Sequence, residues 1–296
     1  MKILVSGRNS QVGTEFFKLV AEDKNEYLFT TSLTMNLQDE YILTKTILDY
    51  NPDIIINFSA FTNVDDCEDQ REKAYNINTK APKIMASISS KIDALLIHIS
   101  TDYVFGNNDV APFHDNSIAS PKNYYGKTKL DGDNQILSIN NKSILIRTAS
   151  VFSTHGKNFV KTITNKILDG LNVDVVSDQK ISLTCAGDLA NAVKTLIDNG
   201  NTVLTRNKPL IFNYTNVGYT SWYNVAKLIF DDLKIKNIEL GSVNPIIFSN
   251  WKSKADRPID SRLFLDYGFL ESLNIKSFEW QGRVSSIVDT LYKTRN

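Results

Sequence analysis

Short runs of aliphatic and β-branched residues alternate, through the first half of the chain, with longer stretches in which apolar residues return every three or four positions. The pattern predicts strands at Lys2–Ser6, Tyr27–Thr31, Asp53–Phe58, Ala94–Ser100 and Ser143–Arg147. Helices are predicted at Gly13–Asp23, Glu40–Tyr50, Glu72–Lys91 and Tyr125–Leu137. The strands are apolar at nearly every position, as strands buried on both faces of a parallel sheet must be. Pro82 should kink or split the third helix, and Asn51-Pro52 should stop the second and launch the third strand. Beyond about Ala149 the alternation loosens. Helices follow at Asn158–Asp169, Gly187–Asp198, Ser221–Leu233 and near Arg283–Lys293, with strands near Val173–Val176 and Pro209–Tyr214. The expected architecture is α/β, a doubly wound parallel sheet with a smaller, discontinuous C-terminal lobe set over the carboxyl ends of its strands.

Composition narrows the function classes. Lys+Arg total 33 against Asp+Glu 33, so the formal charge is zero and no field for a polyphosphate is expected, which sets nucleic acid aside as a partner. Apolar runs such as Ile54–Ile56 and Ala94–Ile97 are far shorter than the roughly 18 residues of a membrane span, and Met1-Lys2 leads directly into a strand, so neither a membrane partner nor an export signal is expected. Cys67 and Cys185 are too few for a disulfide framework or a thiolate cluster, and the three histidines stand in unrelated contexts. A cytoplasmic protein without a metal is the expectation.

The first strand runs into Gly7-Arg8-Asn9-Ser10-Gln11-Val12-Gly13 and then a helix. Backbone amides at a helix start can bind a pyrophosphate, and Gly13 would let the helix pack closely on the strand. Ser10 occupies the place of the middle glycine, where its amide can still donate. The second strand ends Phe29-Thr30-Thr31-Ser32, without the acid that would bind a ribose 2′-hydroxyl, while Arg8 could accept a 2′-phosphate. NADP(H) is therefore preferred, with NAD(H) admissible, and Asn36 and Leu37 are placed on the adenosine side.

The densest chemical signal is Ser100-Thr101-Asp102-Tyr103 at the end of one strand, followed by Tyr124-Tyr125-Gly126-Lys127-Thr128-Lys129 entering the next helix. Tyr125 and Lys129 are four apart and share a helix face, so the ammonium is expected beside the phenol, lowering its pKa and making it a proton donor near neutrality. Thr101 can hydrogen-bond the same reacting oxygen. Tyr124 would instead meet Thr128, which supplies no cation. His98 reads as a packing residue of its strand, and Glu15 as a solvated helix position.

On these residues the chain resembles the extended short-chain dehydrogenase/reductase superfamily and, within it, the dTDP-4-dehydrorhamnose reductase family. The finer likeness is carried by Gln11-Val12-Gly13, Asn51-Pro52-Asp53, Ala60-x-Thr62-x-Val64-Asp65, Ser100-Thr101-Asp102-Tyr103-Val104-Phe105, Tyr125-Gly126-Lys127-Thr128-Lys129-Leu130, His155-Gly156-Lys157-Asn158-Phe159 and Arg257-Pro258. The resemblance implies a Rossmann domain of residues 1–150 plus about 187–220, and a sugar-nucleotide lobe of about 151–186 and 221–296. It implies hydride transfer to C4 of a nucleotide-linked 4-keto-6-deoxyhexose, with Tyr125 as acid, Thr101 holding the oxygen, and Lys129 on the nicotinamide ribose. It further places Ala60, Phe61 and Thr62 along the cofactor, and Thr101, Asp102, Tyr103, Ser150, Asn158 and Arg257 at the sugar. A homodimer is compatible with it.

Four positions depart from the family pattern. They are Ser10; Ser150, where the family often has Trp; Lys180-Ile181-Ser182-Leu183, which lacks a glycine and a proline; and Asp260 in place of Asn. Three of the four fall on the sugar side. The competing readings are an epimerase or dehydratase of the superfamily, for which the acid pair after the threonine is missing at Asp102-Tyr103, and a non-catalytic subunit resembling the methionine adenosyltransferase β subunit.

Overall fold

The computed structural model describes residues 1–106, 110–199, 207–236 and 238–295. Its strands are β1 (Lys2–Ser6), β2 (Glu26–Thr30), β3 (Ile54–Asn57), β4 (Leu95–Thr101), β5 (Ser143–Thr148), β6 (Val151–Phe152), β7 (Val173–Val176), β8 (Thr184–Cys185), β9 (Leu210–Asn213) and β10 (Val243–Ile246). Six of them form one parallel sheet in the order β2-β1-β3-β4-β5-β9. The chain leaves β1 for one edge and returns to its other side at β3, so the order reverses between β1 and β3. Ligand clefts of open α/β sheets form at such a reversal, outside the carboxyl ends of the strands.

Strand side chains alternate between faces, and both faces are covered. Ile3, Val5, Ile54, Ile56, Leu95, Ile97, Ile144 and Ile146 pack with Phe16 of α1 (Gln11–Leu19) and with Leu189 and Val193 of α8 (Ala186–Asp198). Leu4, Ile55, Leu96 and Leu145 pack on the opposite face with Leu43 and Ile47 of α2 (Glu40–Tyr50), Met85 of α5 (Ala81–Lys91) and Ile136 of α6 (Tyr124–Ile139). Full burial of each aliphatic side chain contributes roughly 1.5–3 kcal/mol, so the sheet forms a stiff base for the loops at its end. A separate cluster joins Val160, Ile163 and Ile167 of α7 (Phe159–Leu168), Val173 and Val175 of β7, Val225 and Ile229 of α9 (Trp222–Lys234), and Val284 and Val288. Leu265, Leu270, Leu273 and Ile275, around α10 (Tyr267–Ser272), pack instead on the sheet core. We therefore propose a finer division than the sequence suggests, in which residues 265–275 return to the first domain. Residues 200–206, within the expected 187–220 segment, lie outside the described residues.

Three helices differ most from expectation. The first spans Gln11–Leu19, not Gly13–Asp23, because Ser10 caps it by accepting from the Gly13 amide at 3.0 Å. The predicted Glu72–Lys91 helix is broken into α4 (Arg71–Tyr75), a π turn at Asn76–Lys80 and α5, with a further helix α3 (Val64–Asp69) before it. Pro82 has no N–H and its ring crowds the carbonyl four residues back, at Asn78, which favours the wider turn there. The last helix, α11, is longer than foreseen, at Trp280–Arg295. No helix among the described residues is long and apolar enough to cross a membrane.

Candidate active site

The glycine loop forms the floor of a cleft of about 790 Å³. Gly7 has a φ of +82°, and a Cβ there would stand 2.9 Å from the backbone of Phe58 and Ser59. At Gly13 a Cβ would meet the Gly7 carbonyl oxygen at 2.0 Å, so the helix can approach its strand only without one. Ser10, which lines the cleft, uses its hydroxyl as the helix cap. Gln11, expected at the cofactor, also ties the loop to residues 151–158: its NH₂ donates to the Val151 carbonyl at 3.1 Å, and its oxygen accepts from Ser153 and Asn158 at 2.9 Å each. Glu15 is not simply solvated but pairs with His155 at 2.9 Å, fixing the same segment to α1.

Val12, Asn36, Leu37, Ala60 and Thr62 line the cleft as expected, together with Asn9, Thr31, Ser32, Lys73 and Lys157, which sequence reasoning missed. Arg8 and Phe61 do not. The Arg8 guanidinium lies 3.7 Å from the centre of the Phe17 ring, and this cation–π contact holds it outside the lining. Phe61 packs under Lys73 and beside Tyr125, while its backbone N–H and C=O are both clamped by the Asn78 side chain, at 2.8 and 3.0 Å. The π turn that presents Asn78 thus shapes the Ala60-Phe61-Thr62 wall.

At the far end Thr101, Tyr125 and Lys129 converge on the same cleft. Thr101 ends β4, and Tyr125 stands in the first turn of α6, whose cap Asn123 accepts from the Gly126 amide at 2.8 Å. Burial raises the Tyr125 pKa, the Asp102 carboxylate adds to the rise, and the Thr101 hydroxyl opposes it by hydrogen bonding. The phenol is thus raised and not lowered as expected, and the Lys129 amine is engaged 2.8 Å from His98 Nε2 and 2.8 Å from the Ile99 carbonyl oxygen. Burial also brings the Lys129 pKa down to about 8. His98 is buried, as read from the sequence, but it is a polar partner of Lys129 and not mere packing.

The expected sugar residues divide. Ser150, with a φ of +44°, and Asn158 line the cleft. Asp102, Tyr103 and Arg257 lie outside its lining. Asp102 accepts from the Thr101 hydroxyl at 3.0 Å, and burial pushes its pKa up to about 6 against the lowering effect of hydrogen bonds from Ser261 and Thr101. The Tyr103 ring meets that of Tyr125 edge to face at 5.9 Å. Arg257 makes a forked pair with Asp65, at 2.9 and 3.1 Å, that pins the 255–257 segment to α3, which explains its absence from the wall.

The chain matches, over residues 1–293, the family model described as the RmlD substrate binding domain. It is 32% identical over 280 residues to the spore coat polysaccharide biosynthesis protein SpsK of Bacillus subtilis, covering 95% of this chain and 94% of that one. Its fold superposes with a TM-score of 0.88 on a dTDP-4-dehydrorhamnose reductase of Clostridium acetobutylicum, at 32% identity and covering 99% of this chain and 100% of that one. A dTDP-4-dehydrorhamnose reductase of Bacillus anthracis, solved in complex with NADP, gives 0.85 at 25% identity, covering 97% and 98%.

Proposed function

The chain belongs to the dTDP-4-dehydrorhamnose reductase family, and on that premise we propose that it is an NADPH-dependent reductase of the 4-keto group of a nucleotide-linked 6-deoxyhexose, as in the conversion of dTDP-4-dehydrorhamnose to dTDP-L-rhamnose. The product would feed a cell-surface polysaccharide, a reading supported by the likeness to SpsK. The observation that carries the reaction is the convergence of Thr101, Tyr125 and Lys129 on a cleft whose other end is a glycine loop.

The residues fit a dinucleotide. Gly7 and Gly13 form a cradle that a Cβ would fill, at the N-terminus of α1, and the second strand ends without an acid. Gly7, Ser10, Gln11 and Val12 would hold the phosphates, Asn36 and Leu37 the adenosine side, and Tyr125 and Lys129 the nicotinamide end. When bound, the reduced nicotinamide supplies a hydride. Tyr125 gives its hydroxyl proton to the carbonyl oxygen as negative charge develops there, which keeps an alkoxide from forming in a buried site. Thr101 has one hydroxyl proton and two claimants, Asp102 and Tyr125; once the phenol has lost its proton, that hydroxyl can turn to the phenolate. Lys129 as ammonium then stabilises the same charge.

The same reading places the protein in the cytoplasm, supported by two buried free thiols, Cys67 and Cys185. Its test is NADPH oxidation upon addition of nucleotide-linked 4-ketohexoses. Turnover with at least one is expected; none with any, under conditions where NADPH binds, would refute the assignment.

A further inference from the structure

A line of polar side chains crosses three largely apolar strands beneath Lys129. Ser6 of β1 is the register partner of Asn57 in β3, and Asn57 that of His98 in β4; each of the three is 1% exposed. Their hydrogen bonds have a direction that can be counted. The Ser59 amide donates to Asn57 Oδ1 at 3.0 Å, and the Ser6 hydroxyl donates to the same oxygen at 2.6 Å. That oxygen is therefore the acceptor end of the amide, and the Asn57 NH₂ faces His98 Nδ1 at 3.0 Å. An NH₂ only donates, so Nδ1 holds a lone pair and the proton of the neutral ring sits on Nε2.

Nε2 is 2.8 Å from Lys129 Nζ. An ammonium has no lone pair with which to receive that proton, whereas a free amine has one and still keeps two N–H groups, one of which reaches the Ile99 carbonyl at 2.8 Å. An imidazolium is excluded by the same count, since its Nδ1–H would oppose the Asn57 NH₂. Burial acts in the same sense on both partners, disfavouring the charged imidazole and bringing the lysine down.

We propose that His98 is a positioning residue for Lys129: its Nε2–H, aimed by Asn57, holds the lysine as a free amine and sets the pH at which it becomes an ammonium. The proposal rests on the reductase reading of the site, in which the ammonium form is the one that serves Tyr125 and the anionic cofactor. The other charged groups around the pair are few. From α6, Asp133 Oδ1 stands 3.9 Å from His98 Nε2 and favours the ammonium, while its Oδ2 accepts from Ser100 at 2.5 Å. From β5, Arg147 acts on Asp133. Tyr125 lies one helical turn before Lys129, and Asp102 acts on Tyr125. Of the groups named, His98 is the one hydrogen-bonded to Nζ that depends on the lysine's protonation.

The test uses the full chain labelled with ¹⁵N-histidine. His98 is assigned among three histidines by its loss in His98→Gln or, should that variant not fold, as the ring shielded from solvent exchange. Above about pH 8, where the lysine is the free amine, the ring is expected to carry a pyrrole-type Nε2 and a pyridine-type Nδ1, and it should not become an imidazolium down to about pH 5. A proton on Nδ1 above about pH 8, or an imidazolium above about pH 5, would overturn the proposal. In parallel, NADPH affinity is measured by fluorescence against pH. It should weaken as pH rises through the Lys129 value of about 8. In His98→Gln, where a carbonyl oxygen can accept from the ammonium, the inflection should move up by about one pH unit. An unmoved inflection in a folded variant contradicts the role. Neither readout needs turnover, so a protein that reduces no 4-keto sugar refutes the reductase reading without touching this one.

Discussion

Tyr125 bears the heaviest demand of any side chain in the site, because burial keeps its phenol protonated until a reacting oxygen draws the proton off. Tyr125→Phe should keep NADPH affinity while lowering kcat by about 10²–10⁴, the worth of a positioned general acid; stopped-flow and binding measurements check both halves. Asp102 gives a prediction in pH. Its pKa rises from 3.8 in the unfolded chain to about 6 in the native protein, so the native state holds that proton more tightly. Its stabilising contribution is complete below the unfolded value and is lost as pH rises through about 6. Above that, a buried carboxylate weighs on the fold by up to about 3 kcal/mol. Asp102→Asn should therefore raise Tm near pH 8 and not near pH 4, and melts at the two pH values decide it. Arg8, assigned from the sequence to the cofactor's 2′-phosphate, lies on Phe17, a contact that no motif spacing could reveal.

The π turn at Asn76–Lys80 shows what one element contributes to the cleft. It presents Asn78, whose side chain satisfies the Phe61 N–H and C=O and so fixes the loop after β3. Asn78→Ala leaves the N–H unpaired and the C=O with only the Cys67 thiol at 3.6 Å, so a stability loss of about 1–3 kcal/mol is expected, together with a raised KM for NADPH. Chemical denaturation and steady-state kinetics test the two effects separately. The strands of the sheet were legible because a parallel strand buried on both faces has a simple apolar pattern, and the Tyr125–Lys129 pair because four residues make nearly one helical turn. The π turn was only half legible: Pro82 announces a break but not its form. The Ser6, Asn57 and His98 line was within reach, since each is a polar residue in an apolar strand, but seeing it requires the register that aligns them.

Across the whole molecule, links between distant parts of the chain tie its segments together. Gln11 joins the phosphate loop to Asn158 across 147 positions, and Arg257 joins Asp65 across 192. Such pairs leave no periodic trace, so the sequence does not reveal the Asp65 partner of Arg257, a residue that the family resemblance places at the sugar. If Gln11 holds the 151–158 segment, Gln11→Ala should raise the KM for the sugar nucleotide several-fold with a smaller change in kcat. Equal loss in both would place its role at the chemical step. The central claim is that this fold brings hydride donor and proton donor together at C4 of a nucleotide-linked 4-ketohexose. Its most direct test is turnover with NADPH deuterated at nicotinamide C4, with mass spectrometry and NMR of the sugar product. Deuterium is expected at sugar C4 with the wild-type protein and to be nearly lost with Tyr125→Phe; label at another carbon, or NADPH consumed without label in the sugar, would contradict the account.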